Sequence, residues 1–257
     1  MILWPEILPQ NISGYSGAPG DGLIRTSMDA GPPKVRRRFT AVLEPVSGYI
    51  VVTPEQFTFF RTWYDNVLLN GALRFGWVHP FSGLSLTNLL TNGGFDSTTT
   101  GWSENPAGDT TAALVTGGIW GNCVQITRDT GDLQGIDQVI SLTIGNMYSL
   151  ALWVQSGTSG DESFICNINE NGVDNRHQLA GSSLAAWAHH QMSFTVIDTC
   201  NQIHIYKASA TAGTMLFDQV SVVDITSGVV DMRFSEVPRY SGHGARIRID
   251  MKLEILP

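Results

Sequence analysis

Three short stretches carry the side chains with most to offer chemically: YSLALWVQ (148–155), FICNINE (164–170) and QIHIYK (202–207). Each alternates apolar and polar residues, the pattern of a strand with two unlike faces. In the first, Leu150, Leu152 and Val154 share one face and Trp153 and Gln155 the other. In the second, Asn167 and Asn169 oppose Ile168, and in the third His204 and Tyr206 oppose Ile203 and Ile205. Flat aromatic faces suit the C–H surface of a pyranose, and amides and carboxylates suit its hydroxyls. The spacing predicts one platform built from Trp153, Gln155, Asn167, Asn169, His204 and Tyr206, serving either a sugar or the surface of another subunit.

The elements that would carry this platform lie in a segment of their own. From Asn88 to Ile225 short alternating runs are separated by Gly, Asn, Ser and Thr turns, which predicts a β-sandwich. The expected strands are CVQIT, DQVISLTI, YSLALWVQS, ESFICNINEN, AHHQMSFTVI, NQIHIYKAS and TMLFDQVSVVDI. Charge marks the same segment. Residues 85–228 hold three Lys/Arg against thirteen Asp/Glu, whereas 1–84 hold seven against six and 229–257 five against four. The three cysteines, Cys123, Cys166 and Cys200, all lie in the acidic segment without metal-ligand spacing, and are expected to be small buried side chains.

The flanks read as one domain cut in two. SGYSGAPGDG is a loop by composition, and KVRRRFTAVLEP alternates as a strand. TPEQFTFFRTWYDNVLLNGA is a helix: Thr53 caps it, Pro54 takes the first position, Gln56 closes a capping box, and Asn70-Gly71 stops it. Phe57, Phe60, Tyr64 and Val67 form its apolar stripe, and ALRFGWVHP follows as a strand. The last segment, with VVDMRF and ARIRIDMKLEIL, is strand-rich but too short for a core of its own. Residues 1–84 and 228–257 are therefore expected to form one discontinuous domain, interrupted at the Ser82-Gly83 and Ser227-Gly228 turns by 85–227.

Within the insert, NLLTNGGFDSTTTGW, IGNMYSLALWV, AAWAHHQMSFTV and MLFDQVSVVDI resemble the signature strands of carbohydrate-binding modules of the galactose-binding-like, jelly-roll type. The resemblance implies a structural Ca2+ held by a backbone oxygen of Gly94 and the carboxylates of Asp96 and Asp218; the sequence offers Asp132 or Asp137 as a third carboxylate. The resemblance also marks Trp102 and Trp187 as core; Trp120, on a Gly-rich loop, fits either role. Asp96 as a turn cap and Asp218 as a solvated group is the alternative.

The flanks resemble another family, the distal-tail and minor tail-tip proteins of long-tailed bacteriophages. The resemblance is carried by RTSMDAGPPKVRRRFTA, by TPEQFTFFRTWYDNVLLNGALRFGWVHPFSG, and by VVDMRF through LEILP. It implies a mainly β chain: a tail-tube-like β-sandwich or barrel with one α-helix, interrupted by the jelly-roll insert. It implies a virion protein of the tail tip, or baseplate, assembled in the host cytoplasm as a homohexameric ring between the tail tube protein and the tail-tip hub proteins, with its insert on a host surface polysaccharide during adsorption. A purely structural virion decoration and a free-standing lectin are the alternatives. Arg36, Arg37 and Arg38 are then subunit contacts, or a charged strand edge, or a lining for passing DNA; near-neutral flanks argue against a specific nucleic-acid site.

Catalysis is not expected. Thirteen acids supply carboxylate pairs by chance, but none sits in a recognisable acid/base setting, no GxSxG or HExxH occurs, and His189-His190 lacks ligand spacing. No apolar run approaches the ~18 residues that a bilayer span needs, so no membrane insertion is expected. MILWPEILPQ does not read as a signal peptide, which with the free thiols predicts folding in a cytosol.

Overall fold

The fold is that of a computed structural model, which describes all residues except 40, 81, 83, 106–110, 129–132, 159–161, 184, 209 and 210. Along the first flank run β1 (Ser13–Gly17), β2 (Leu23–Thr26), β3 (Lys34–Arg37), β4 (Glu44–Val52), helix α1 (Pro54–Thr62) with a π-helical extension (Trp63–Val67), and β5 (Phe75–Val78). Then follow β6 (Ser103–Asn105), β7 (Thr111–Thr116), β8 (Asn122–Arg128), β9 (Gln134–Val139), β10 (Met147–Ser156), β11 (Glu162–Glu170), β12 (Val173–Ser183), β13 (Ala188–Thr195), β14 (Cys200–Lys207) and β15 (Gly213–Asp224). The second flank adds β16 (Val229–Phe234), β17 (Arg239–His243) and β18 (Arg246–Ile255). The architecture is mainly β. The chain divides into two compact units, one of Ile2–Ser85 with Gly228–Pro257 and one of Leu86–Ser227 together with Met1. No helix among the described residues is long and apolar enough to cross a membrane.

In the flanking unit one sheet runs β1-β4-β18-β16-β5, with β17 also paired to β18. Both flanks contribute to it: β18 pairs with β4 over nine residues, and β16 pairs with β5. Thr53 caps α1 with a complete capping box and Pro54 opens it, while Leu69, Asn70 and Gly71 take positive φ at its end. The buried stripe, however, is Phe59, Phe60, Trp63, Tyr64 and Leu68, with Phe57 and Val67 only half-buried. The π-helical turn shifts the register of the last turn, and Phe57 instead meets Tyr240 edge-on at 4.9 Å. Trp4 stacks on Trp77 at 4.0 Å and meets Trp63 edge-on at 5.3 Å, joining the first residues of the flank to helix and sheet.

Two expectations for this flank need correction. SGYSG is a strand, β1, not a loop. KVRRRFTAVLEP is not one strand: β3 ends at Arg37, β4 begins at Glu44, and among the described residues β3 pairs with β2 in a two-stranded ribbon. Alternation there does not reflect a core, because every β3 residue is exposed, and Val35 and Phe39 are over half exposed. Gly83, at one expected lip of the insertion, lies outside the described residues.

The inserted unit is a sandwich of two antiparallel sheets, β13-β10-β15-β8-β7 and β12-β11-β14-β9-β6. Leu150, Leu152, Val154, Val124, Phe217 and Val222 from the first meet Ile136, Phe164, Cys166, Ile168, Ile203 and Ile205 from the second in one core. The cysteines are free and buried, as their composition predicted. Trp102 packs against this core from the side. β6, β7 and β12 escape the sequence pattern; in β12 the polar run Arg176, His177 and Gln178 hides a strand, because an edge position needs no apolar alternation.

Phe60 is fully buried between helix and sheet. Phe60→Ala should cost about 3–5 kcal/mol of the flanking unit's stability in urea denaturation, the usual range for an aromatic deleted from a core; a loss below about 1 kcal/mol would contradict this packing.

Candidate functional site

Strand pairing fixes which side chains share a face. Across the second sheet Asn167 lies opposite His204, His204 opposite Asp137, and Asp137 opposite Ser103. One pleat along, Asn169 pairs with Gln202, and Tyr206 pairs with Gly135. Because Ile168, Ile203, Ile205 and Ile136 point into the core, Asn167, Asn169, Gln202, His204, Tyr206 and Asp137 all project from the outer face. This face binds itself together by hydrogen bonds. Tyr206 Oη and His204 Nδ1 lie 3.0 Å apart, and Asn105 Nδ2 reaches both, at 3.3 Å each. The Asn105 bridge needs Gly135 beneath it, since a Cβ there would sit 1.9 Å from the Ile205 carbonyl oxygen and 2.7 Å from the Tyr206 ring. Gln202 Nε2 donates to Asp137 Oδ2 at 2.7 Å. Asn167, His204 and Tyr206 form a buried floor, under one-tenth exposed, while Asn169, Gln202, Asp137 and Asn105 are half-buried around it. Amides, an imidazole, a phenol and a carboxylate converge here, a donor and acceptor set matched to sugar hydroxyls.

Trp153 and Gln155 are not on this face. They belong to β10 in the other sheet, where they do point away from Leu150, Leu152 and Val154, but from the opposite side of the sandwich. Trp153 is 3% exposed, so the expectation of an open aromatic platform is corrected: its indole packs on His189 at 5.1 Å. Burial, with His190 beside it, pushes the His189 pKa down to about 4. Gln155 Nε2 is spent on the Ala185 carbonyl at 2.5 Å. Alternation told the face of each strand and could not tell the sheet. The residues that sequence reasoning missed, Asn105, Asp137 as part of this face, and Gln202, are visible only through register.

On the outer side of the β10 sheet lies a second polar cluster. Asp218 points outward because β15 bulges just after it: Gln219 has φ 48°, and Phe217 and Val220 both face the core. The loop 117–122, GGIWGN, folds over Asp218 and buries it completely. Trp120 and Gln219 backbone N–H groups donate to its carboxylate at 3.1 and 2.7 Å. Gly118 is required here, since a Cβ would stand 2.6 Å from Asp218 Oδ2 and 2.5 Å from the Asn122 carbonyl oxygen. Trp187 fixes the loop by donating Nε1–H to the Gly117 carbonyl at 3.2 Å, and is half-buried rather than part of the core. Asp96 joins the cluster: its backbone oxygen accepts from Asn122 Nδ2 at 2.6 Å, and Gly94 lies beside its carboxylate.

Gly94, Asp96 and Asp218 are thus neighbours, whereas Asp137 is on the other sheet and Asp132 lies outside the described residues. Burial pushes the Asp218 pKa up to about 7, with Asp96 adding to the rise and backbone hydrogen bonds opposing it; no ion pair to Asp218 occurs among the described residues. A buried carboxylate beside a second one, without a basic partner, fits a hard cation, which prefers oxygen donors. Among the described residues no group of three or more His, Cys, Asp and Glu side chains gathers as a metal cage, so backbone oxygens would have to complete the shell.

Residues 87–213 match the family model described as carbohydrate binding domain. No curated protein matches the chain. Among solved structures the chain is similar to the CBM22-1–GH10 modules of Clostridium thermocellum endo-1,4-beta-D-xylanase 10B complexed with xylohexaose, at 15% identity and TM-score 0.46 over 53% of this chain and 28% of that one. It is similar to the CBM22-1 xylan-binding domain of Paenibacillus barcinonensis Xyn10C, at 16% identity and TM-score 0.46 over 57% and 99%. A third is the enzymatically active domain of bacteriophage CBA120 tailspike protein 4, at 13% identity and TM-score 0.42 over 54% and 21%. The chain spans about a quarter of the length of the solved CBM22-1–GH10 chain and about a fifth of the solved tailspike domain.

Two outcomes follow from this geometry. Trp153→Ala should lower the inserted unit's stability by about 3–5 kcal/mol in chemical denaturation, as for other buried aromatics; an unchanged midpoint would restore Trp153 to the surface. Between the ordinary carboxyl value of 3.8 and about 7, folded Asp218 keeps a proton that the unfolded chain has released. Raising pH through that window therefore lowers stability in chelator. The Asp218→Asn variant should show a flatter melting temperature from pH 5 to 7.5 than wild type, and equal slopes would contradict the burial of this group.

Proposed function

We propose that the protein is a structural tail-tip protein of a long-tailed bacteriophage, of the distal-tail type, whose inserted unit binds host surface glycans during adsorption. The observation that carries the glycan reading is the convergence of Asn167, Asn169, Gln202, His204, Tyr206, Asp137 and Asn105 on one outer sheet face, within the segment that matches the carbohydrate binding domain model. The tail reading rests on the resemblance of the two flanks, and the discontinuous flanking unit is consistent with it. The flanks assemble a ring, a hexamer, on the tail tube protein and against the hub proteins. Arg36 and Arg37, exposed on the β2–β3 ribbon, and Arg38, which packs over the Phe39 ring at 5.0 Å, make subunit contacts. Single contacts to sugar are weak and wet, but several linked sites raise avidity by roughly 10²–10⁴ without new contacts. The role is binding, with no catalytic step.

Asp96, Asp218 and backbone oxygens near Gly94 hold a structural Ca2+, which neutralises the two carboxylates and ties the start of the insert to β15. Chelation at pH 8 should then lower the melting temperature, since a ligand bound by the folded state alone stabilises it. An identical melt in calcium and in chelator would remove the ion from this account.

Asn169→Ala should weaken retention of the full chain on purified host envelope polysaccharide by roughly tenfold, the cost of about one good hydrogen bond to a hydroxyl. Unchanged retention would move the site elsewhere. Light scattering on the purified chain should give a closed oligomer, lost on Arg36→Glu with Arg37→Glu; a monomeric wild type at micromolar concentration would contradict the ring.

A further inference from the structure

The inserted segment carries only three basic residues, Arg128, Arg176 and Lys207, against thirteen acids. Two of the three are buried, and the third is paired with carboxylates. Arg128 and Lys207 are buried, at 3% and 0% exposure; Arg128 Nη1 donates to the Lys207 and Ala208 carbonyls, and Lys207 Nζ to the Thr211 carbonyl. Arg176, on edge strand β12, is held between Glu170 at 3.5 Å and Asp198 at 3.9 Å. The outer face of the β12-β11-β14-β9-β6 sheet, by contrast, presents a carboxylate on β9, beside the edge strand β6. Asp137 is half-buried there, flanked by His204 and Ser103 in register and gripped by Gln202 Nε2. One oxygen is thereby oriented by Gln202, which fixes the carboxylate plane and leaves acceptor capacity for hydroxyl groups.

We propose that Asp137 is the specificity-determining residue of this face: it accepts hydroxyl protons from an uncharged glycan and excludes chains that bear carboxylate or phosphate groups. This rests on glycan binding at this face as proposed above. A charged acceptor strengthens hydrogen bonds from hydroxyls, and the same charge meets a uronate or phosphate in a half-desolvated setting where like charges repel strongly. The overall excess of acids on the inserted segment adds a longer-range repulsion of polyanions, which salt screens. The local exclusion by Asp137 is short-range and survives salt.

The test uses acidic bacterial envelope polysaccharides before and after chemical reduction of their uronic acids to neutral sugars, so that within each pair a neutral hydroxymethyl group replaces each carboxylate. Retention of the full-length chain is measured by affinity electrophoresis in 0.15 M salt. Wild type is expected to bind the reduced form at least roughly tenfold more tightly than the acidic parent, and Asp137→Asn to shrink that ratio to near one, chiefly by gaining affinity for the acidic form. Gln202→Glu, which adds a second carboxylate at the same place, should widen the ratio. Melting curves of both variants confirm that they are folded. Equal or tighter binding of the acidic form by wild type, or an unchanged ratio in folded Asp137→Asn, overturns the inference while leaving glycan binding standing. Absence of binding to every polymer in both forms overturns the inference together with the glycan reading.

Discussion

Everything that the inserted unit offers to a ligand depends on the two-residue pleat of its sheets. Burying Ile203 and Ile205 from β14, Ile168 and Cys166 from β11 and Ile136 from β9 fixes their neighbours outward, because a one-residue slip would exchange the two faces entirely. The polar face is thus held in place by the apolar one. Some of its members also bond one another: Asn105, His204 and Tyr206 form one hydrogen-bonded group, and Gln202 with Asp137 forms another. Side chains tied in this way have little further freedom to lose on binding, which is the physical meaning of a preorganised site.

The β10 sheet uses its outer face differently. There the bulge at Gln219 turns Asp218 outward, and the glycine-rich loop closes over it instead of leaving it to solvent. A carboxylate buried in this way is costly unless protonated or neutralised by a cation. One sandwich therefore has one outer face whose polar rim of Asn105, Asp137, Asn169 and Gln202 is half-exposed and another sealed around a charge problem, and Trp153 belongs to the sealed side with His189.

The fold was legible where a residue's role is local. The capping box of α1, the alternation in β10, β11, β14 and β18, and the change of charge at residue 85 could all be read directly from the chain. What depended on partners was not. Periodicity places Trp153 and Asn167 each on a strand face, but whether those strands are neighbours is decided by the sheet order β13-β10-β15 against β11-β14-β9, which no local pattern encodes. Asp137 read as a spare metal ligand because its neighbours His204 and Gln202 lie more than sixty residues away in sequence. β3 misled for the converse reason: its alternation is real, but no core lies beneath it.

The central claim is that the β12-β11-β14-β9-β6 face is the one that meets a glycan. Hydrogen–deuterium exchange on the full chain, with and without saturating host envelope polysaccharide, addresses it directly. The account predicts slowed exchange confined to β9, β11, β14 and the Asn105 edge, with β10 and β13 unchanged. Protection centred on β10 and β13 around Trp153, with the other sheet unaffected, would contradict it.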